Sequence, residues 1–168
     1  MAWSLPGTRR NVVPGPMTDP AVAPLRWPRG ARLVDARLFR VLLEMEIQKA
    51  QRLRYCLAIV SFRGEIPAAS SGEASLSLAG LVAGRVRATD VALERGPQAV
   101  ILLLLDADVA ALPVVLRRLT LDFEVTPWSA GASSYPKSGA SAEELLSQAE
   151  RMLAEAGRAG GRRLLVQS

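Results

Sequence analysis

The chain lacks the side chains on which most metal and nucleophile sites depend. Its 168 residues include no histidine and a single cysteine, Cys56. The missing histidine excludes Ser-His-Asp and Cys-His nucleophile arrangements, and with one cysteine it leaves no zinc or iron cluster to propose. One cysteine cannot form a disulfide within the chain, which is typical of a reducing compartment. Any metal site would therefore need oxygen ligands alone.

Long apolar runs are also missing. The longest runs from Ala99 to Leu105, whereas a bilayer-spanning helix needs about 20 residues. The first thirty residues contain six prolines and show no apolar signal core behind a charged start. We therefore expect a chain that has no membrane span and resides in the cytoplasm.

Lysine is scarce, because Lys49 and Lys137 are the only two, and arginine supplies nearly all of the positive charge behind a formal net charge of +5. The planar guanidinium group suits phosphates and the Hoogsteen edge of guanine. The arginines are spread along the chain, however, so a solvated basic surface is favoured over a nucleic-acid interface.

Two regions follow from the distribution of proline and apolar residues. Residues 1–30 have no sustained apolar period, so we predict a flexible, proline-rich lead. Trp3 and Trp27 lie in this lead, and their role stays open. Residues 31–168 are expected to form one globular domain, since 49% of the whole chain is hydrophobic,.

Apolar spacing in the second region predicts helices alternating with strands and one hairpin. Strands are predicted at Tyr55–Phe62, Val91–Glu94, Ala99–Leu105, Phe123–Ala132 and Leu164–Val166. The strand Phe123–Ala132 is predicted to break at Gly131. Helices are predicted at Phe39–Leu53, Leu76–Val86, Leu112–Leu119 and Ser141–Ala156. This order predicts an α+β fold, an α/β sandwich in which a central mixed five-stranded sheet is flanked by helices.

The most informative segment surrounds the predicted hairpin. Arg87 and Asp90 form an RxxD pair, and the hairpin turn reads Gly96-Pro97-Gln98-Ala99-Val100. This segment resembles the central hairpin of GGDEF domains, the family of bacterial diguanylate cyclases, in which RxxD lies shortly before a Gly-Gly-Asp/Glu-Glu-Phe turn. The resemblance implies the ferredoxin-like, nucleotide-cyclase fold of that family.

Four other segments are similar to the family in the same order. They are the first helix, Phe39 to Arg52; the strand Thr126–Ala132; the helix Glu143–Ala156; and the closing Gly161-Arg162-Arg163. The likeness therefore covers roughly residues 32–168.

The departures from the family pattern imply that cyclase activity is lost. Cyclases of this family join two GTP molecules, a phosphoryl transfer in which carboxylates hold divalent metal. Ser61 stands at the expected acid position of the first strand, and Gln98 and Ala99 replace the acids of the turn. Pro97 removes a backbone N–H, and Gly157 stands where a lysine is expected. We predict a degenerate GGDEF domain without catalytic residues, metal or cofactor.

Asp106 and Asp108 leave one alternative for a metal site. They alternate at the end of the predicted hairpin, and magnesium needs only one or two carboxylates. Capping of the following helix is the favoured interpretation of both residues.

The RxxD pair is the basis of a ligand-binding hypothesis. In the family it binds the product cyclic di-GMP, so the resemblance implies a retained receptor site. Arg87 can donate two hydrogen bonds to guanine O6 and N7, and Asp90 can accept from guanine N1–H and the amine. Arg117 or Arg118 from the following helix would complete the site. Alternatively, Arg87 lies along the surface and Asp90 accepts backbone N–H groups in a turn.

Two functions remain in competition. The first is an inactive signalling module that binds cyclic di-GMP. The second is a ligand-free module for a regulatory protein partner or a homodimer, which predicts an exposed apolar patch. A residual GTP-binding regulator is disfavoured by the changes at Pro97, Gln98 and Gly157. A nucleic-acid binder using Arg158, Arg162 and Arg163 is placed last, because no aromatics lie between those arginines,.

Overall fold

A computed structural model of the chain describes residues 30–66, 77–121 and 127–167. The strands are β1 (Arg32–Val34), β2 (Leu57–Gly64), β3 (Val91–Glu94), β4 (Ala99–Leu105), β5 (Trp128–Tyr135) and β6 (Leu164–Val166). The helices are α1 (Ala36–Leu53), α2 (Leu78–Ala83), α3 (Leu112–Leu119) and α4 (Ala142–Arg158). No helix within these ranges combines the length and the apolar character needed to cross a membrane.

The strands form one mixed sheet in the order β1-β3-β4-β2-β5-β6. The pairs β3–β4, β4–β2 and β2–β5 are antiparallel, and the two edge strands pair in parallel with their neighbours. The predicted mixed sheet flanked by helices is confirmed. The predicted number of five strands is wrong, because Arg32–Val34 adds a sixth strand along Val91–Leu93. Three residues are too few to show a strand period in sequence.

Other element boundaries differ from the prediction for local reasons. β5 continues through Gly131 to Tyr135, so this glycine does not break the strand. The predicted start of that strand at Phe123 lies outside the described residues, as does residue 76. The helix predicted to reach Val86 ends at Ala83, before Gly84. The proposed flexible lead, apart from Gly30, also lies outside the described residues.

Helices cover both faces of the sheet. Successive side chains of a strand point to opposite faces, so Val60 and Phe62 pack towards α2 and α3. Leu57 and Ile59 pack towards α1 and α4. Because both faces are covered, β2 and β4 are nearly continuous apolar runs rather than alternating ones.

Helix α1 is fixed at both ends by local contacts. At its start, Asp35 accepts a hydrogen bond from the N–H of Leu38 at 2.8 Å. It ends at Leu53, and the capping residue Arg54, with a φ of 57°, reverses the chain towards β2. The Tyr55 hydroxyl then donates to Glu46 Oε2 at 2.6 Å. Burial, together with this bond to Glu46, raises the pKa of Tyr55 to about 12.

Helix α4 packs unusually close to β5. Ser141 and Glu144 form the predicted capping box at its start,. Gly131 faces the helix, and a Cβ at this position would overlap the backbone of Ala149 and Leu153. The close approach therefore depends on a glycine in the middle of the strand.

Candidate functional site

A tight turn leads from α2 into β3 and carries the RxxD pair. The Asp90 carboxylate accepts a hydrogen bond from the N–H of Arg87 at 2.8 Å through Oδ2, and from the N–H of Leu105 at 3.1 Å through Oδ1. Asp90 is only 4% exposed. The Asp90 carboxylate therefore accepts backbone N–H groups in a turn, which is the alternative that the sequence left open beside direct contact with guanine.

Two guanidinium groups act on this carboxylate. Burial raises the pKa of Asp90 above its ordinary value, while the bonds from Leu105 and Arg87 act in the opposite direction. The positive charges of Arg87 and Arg118 also act to lower it. Both arginines thus lie within electrostatic range of Asp90, although they come from separate elements.

A cavity of about 240 Å³ lies between this turn, the end of β4 and helix α3. Its lining comprises Val86, Arg87, Asp90, Leu104, Leu105, Asp106, Ala107, Ala111, Val114, Val115 and Arg118. We refer to it as the Arg87–Arg118 cavity. Its volume falls below the roughly 300–1,000 Å³ of sites for drug-sized ligands. It is therefore suited to a portion of a ligand, such as one planar base.

Helix geometry separates the two arginines that the sequence offered on α3. Adjacent residues of a helix point about 100° apart, and Arg118 lines the cavity whereas Arg117 does not. Arg118 Nη2 donates to the carbonyl of Arg85 at 2.6 Å. This bond fixes the Arg118 guanidinium at the cavity beside the turn.

The chemical character of the cavity is mixed. Leu104 and Val115 supply apolar walls, and Arg87, Arg118 and Asp106 supply exposed charged groups. A few convergent polar groups on an apolar wall are typical of small-molecule sites. The guanidinium groups can donate to ring nitrogen and carbonyl acceptors, and the carboxylate can accept from N–H groups.

The two aspartates after β4 have different environments. Asp108 accepts from the N–H of Ala111 at 3.0 Å and caps the short 3-10 turn before α3, so its predicted capping role is confirmed. The predicted capping role of Asp106 is wrong, because its side chain caps no helix in the described part of the chain; it has a positive φ of 50° and lines the Arg87–Arg118 cavity. The sequence pattern indicated only a helix cap or a metal ligand at Asp106. The signal available was its position directly after a buried strand.

The signature turn lies at the other end of the hairpin. Gly96 has a φ of 99°, which favours glycine, and the Arg95 N–H donates to the Ala99 carbonyl at 2.9 Å. Pro97 and Gln98 are exposed, while Ala99 is half-buried. Val100 is buried in the core on the side of α2 and α3.

The surroundings of this turn do not fit a divalent metal ion. A cavity of about 480 Å³ beside the turn is lined by Arg63, Gln98 and Arg162 among others, with Glu65 as its one carboxylate. The positive arginines oppose a cation, and hard cations such as magnesium prefer carboxylate oxygens. Ser61 is buried, and its hydroxyl has no hydrogen-bond partner in the described part of the chain. Across residues 30–66, 77–121 and 127–167, no three His, Cys, Asp or Glu side chains are grouped to hold a metal.

No family model and no curated protein sequence matches this chain. Solved structures do match. The GGDEF domain of YfiN (TpbB) from Pseudomonas aeruginosa aligns with a TM-score of 0.70 and 17% identity, over 81% of this chain and 97% of that one. The active GGEEF domain of a diguanylate cyclase from Vibrio cholerae gives 0.66 and 16%, over 84% and 99%.

A third similar structure contains a ligand. The GGDEF domain of DgcB from Caulobacter crescentus, in complex with c-di-GMP, aligns with a TM-score of 0.64 and 14% identity, over 82% of this chain and 90% of that one. At these identities the likeness concerns the fold. The predicted fold is therefore confirmed: this chain has the fold of the GGDEF domains.

Proposed function

We propose that this domain is a catalytically inactive receptor for cyclic di-GMP, which holds one guanine base in the Arg87–Arg118 cavity. One observation carries the proposal. Arg87 and Arg118, which lie 31 positions apart in sequence, line the same cavity and act on the same buried carboxylate. The DgcB domain of the same fold has been solved with this dinucleotide.

The chemistry of the cavity suits guanine. A guanidinium group can donate two bonds to O6 and N7 of guanine, and Arg87 is exposed at the cavity. The positive charges of both arginines also attract the phosphates of a cyclic dinucleotide. The cavity volume of about 240 Å³ leaves the second base and the ring of the ligand on the open surface.

Asp90 has a positioning role in this proposal. Its two oxygens accept the backbone N–H groups of Arg87 and Leu105, which fixes the turn that carries Arg87. A rigid turn reduces the entropy that Arg87 loses when it binds a ligand.

We infer the absence of cyclase activity from the residues of the signature turn. Gln98 and Ala99 offer no charge to a metal ion, and Pro97 offers no N–H to a phosphate,. Loss of one transition-state donor typically lowers kcat by about 10²- to 10³-fold, so the combined loss removes measurable turnover. Incubation of the pure protein with GTP and magnesium is expected to yield no cyclic di-GMP, and detection of that product would refute this part of the proposal.

Calorimetric titration tests the receptor function. Cyclic di-GMP is expected to bind the wild-type protein with a micromolar dissociation constant, and Arg87→Ala is expected to weaken binding roughly tenfold or more. Cyclic di-AMP serves as the control ligand, because adenine lacks the O6 acceptor. Absence of binding, or binding that Arg87→Ala leaves unchanged, contradicts the proposal.

One observation favours the second candidate, a self-association module. Leu38, Val41 and Met45 are 45%, 46% and 46% exposed, and their spacing aligns them on one face of α1, away from its buried face. Exposed apolar patches mark interaction surfaces when they are contiguous. Light scattering would report a dimer that Met45→Glu dissociates; a wild-type protein that stays monomeric at high concentration excludes this candidate.

A further inference from the structure

The Arg87–Arg118 cavity contains a carboxylate that the RxxD motif does not include. Asp106 lines the cavity and is exposed. Its carboxylate makes no hydrogen bond or ion pair with the described part of the chain. We propose that Asp106 is the residue that selects guanine, by accepting hydrogen bonds from the base; this inference rests on the receptor function proposed above.

Asp90 is poorly placed for the same task. Both of its oxygens already accept backbone N–H groups, and its side chain is almost fully buried. A ligand that drew Asp90 away from Leu105 would leave a partly buried N–H without this acceptor, which is unfavourable,. Asp106 accepts a ligand without any such loss.

The backbone at Asp106 places its side chain at the cavity. Leu105 is the last residue of β4, and Asp106 follows it with a φ of 50°. Aspartate is one of the few residues other than glycine that adopt this left-handed region readily. The chain leaves the direction of β4 at this residue, next to Leu105 and Ala107 in the cavity lining.

A carboxylate that shares a cavity with two guanidinium groups matches guanine and not adenine. Guanine presents N1–H and an exocyclic amine on its Watson–Crick edge, and a carboxylate can accept from both. Adenine presents an acceptor at its N1, which a carboxylate repels. In this arrangement Arg87 or Arg118 donates to O6 and N7 while Asp106 accepts on the other edge.

The test compares two aspartates and two ligands by calorimetry. Asp106→Asn is the test variant, and Asp108→Asn is the matched control, since Asp108 lies two residues away but outside the cavity lining. Asp106→Gly is a second test variant that relieves the positive φ and so preserves folding. Cyclic di-IMP, in which hypoxanthine lacks the exocyclic amine, is compared with cyclic di-GMP.

Asp106→Asn and Asp106→Gly are expected to weaken cyclic di-GMP binding roughly tenfold to a hundredfold, while Asp108→Asn leaves it unchanged. Cyclic di-IMP is expected to bind the wild type more weakly than cyclic di-GMP does. The Asp106→Asn change is expected to reduce the affinity for cyclic di-IMP by a smaller factor than the affinity for cyclic di-GMP. This inference is overturned, and the receptor function is not, if both Asp106 variants bind cyclic di-GMP as tightly as wild type while Arg87→Ala binds it more weakly. Equal weakening by Asp106→Asn and Asp108→Asn also overturns it. A wild type that does not bind cyclic di-GMP overturns both proposals.

Discussion

The carboxylate of Asp90 accepts a hydrogen bond from the backbone N–H of Leu105 at 3.1 Å. Asp90 directly precedes β3 and Leu105 ends β4, so this side-chain bond lies just beyond the Val91–Leu103 pair, at the end of the hairpin opposite its turn. The same carboxylate accepts from the Arg87 N–H. One buried group therefore closes the base of the hairpin and sets the turn beside the candidate binding cavity.

Removal of the Asp90 carboxylate is expected to destabilise the domain. Asp90→Ala leaves the N–H groups of Arg87 and Leu105 without this acceptor, and loss of two hydrogen bonds to a charged group costs about 3 kcal/mol. Asp90→Asn retains one acceptor oxygen and is expected to cost less. Urea unfolding at neutral pH measures both variants, and an unfolding free energy for Asp90→Ala equal to that of wild type would refute the structural role.

A methyl group at Gly131 is expected to disrupt the contact between α4 and β5. The added Cβ would overlap the backbone of Ala149 and Leu153, and overpacking of this kind costs about 3 kcal/mol. Gly157→Ala is the matched control, because its added Cβ lies 3.9 Å from Ser129 Oγ. In the helical position of Gly157, alanine is expected to stabilise the protein by up to about 1 kcal/mol. Thermal unfolding measures both variants. A melting temperature of Gly131→Ala equal to or above that of Gly157→Ala would contradict the packing described.

The capping box of α4 predicts that Glu144 stabilises the folded protein in a pH-dependent way. The N–H groups of Ala140 and Ser141 donate to its carboxylate and lower the pKa of Glu144 from its ordinary value of 4.5. Because the pKa of Glu144 is lower in the folded than in the unfolded protein, its ionised carboxylate stabilises the fold at pH values above 4.5. This stabilisation is lost as the pH falls through the folded-state pKa,. Melting temperatures of wild type and Glu144→Ala should differ at neutral pH and converge in acid. A difference in melting temperature that grows as the pH falls would contradict this pH dependence.

Sequence patterns predicted the elements with strong local signals. The bounds of β3 and β4 were predicted to the residue, because apolar runs flank the Gly96-Pro97 turn. The capping box of α4 was likewise visible in the spacing of Ser141 and Glu144. β1 was missed because its identity depends on long-range pairing with β3 and not on its own three residues.

The candidate site was only partly predictable, for similar reasons. The RxxD spacing brings Arg87 and Asp90 into one turn, but the Asp90–Leu105 bond joins residues fifteen positions apart. Spacing could not separate Arg117 from Arg118, since the difference depends on how α3 is rotated about its axis. The place of Asp106 at the cavity depends on a positive φ, which no pattern in the sequence marks.

The most direct measurement is a calorimetric titration of cyclic di-GMP into wild type, Arg118→Ala and Arg117→Ala. The two variants carry the same change at adjacent positions, so they alter net charge equally while only Arg118 lines the cavity. We expect wild type and Arg117→Ala to bind alike and Arg118→Ala to bind at least about tenfold more weakly. A wild type that does not bind, or variants that weaken binding equally, would contradict it.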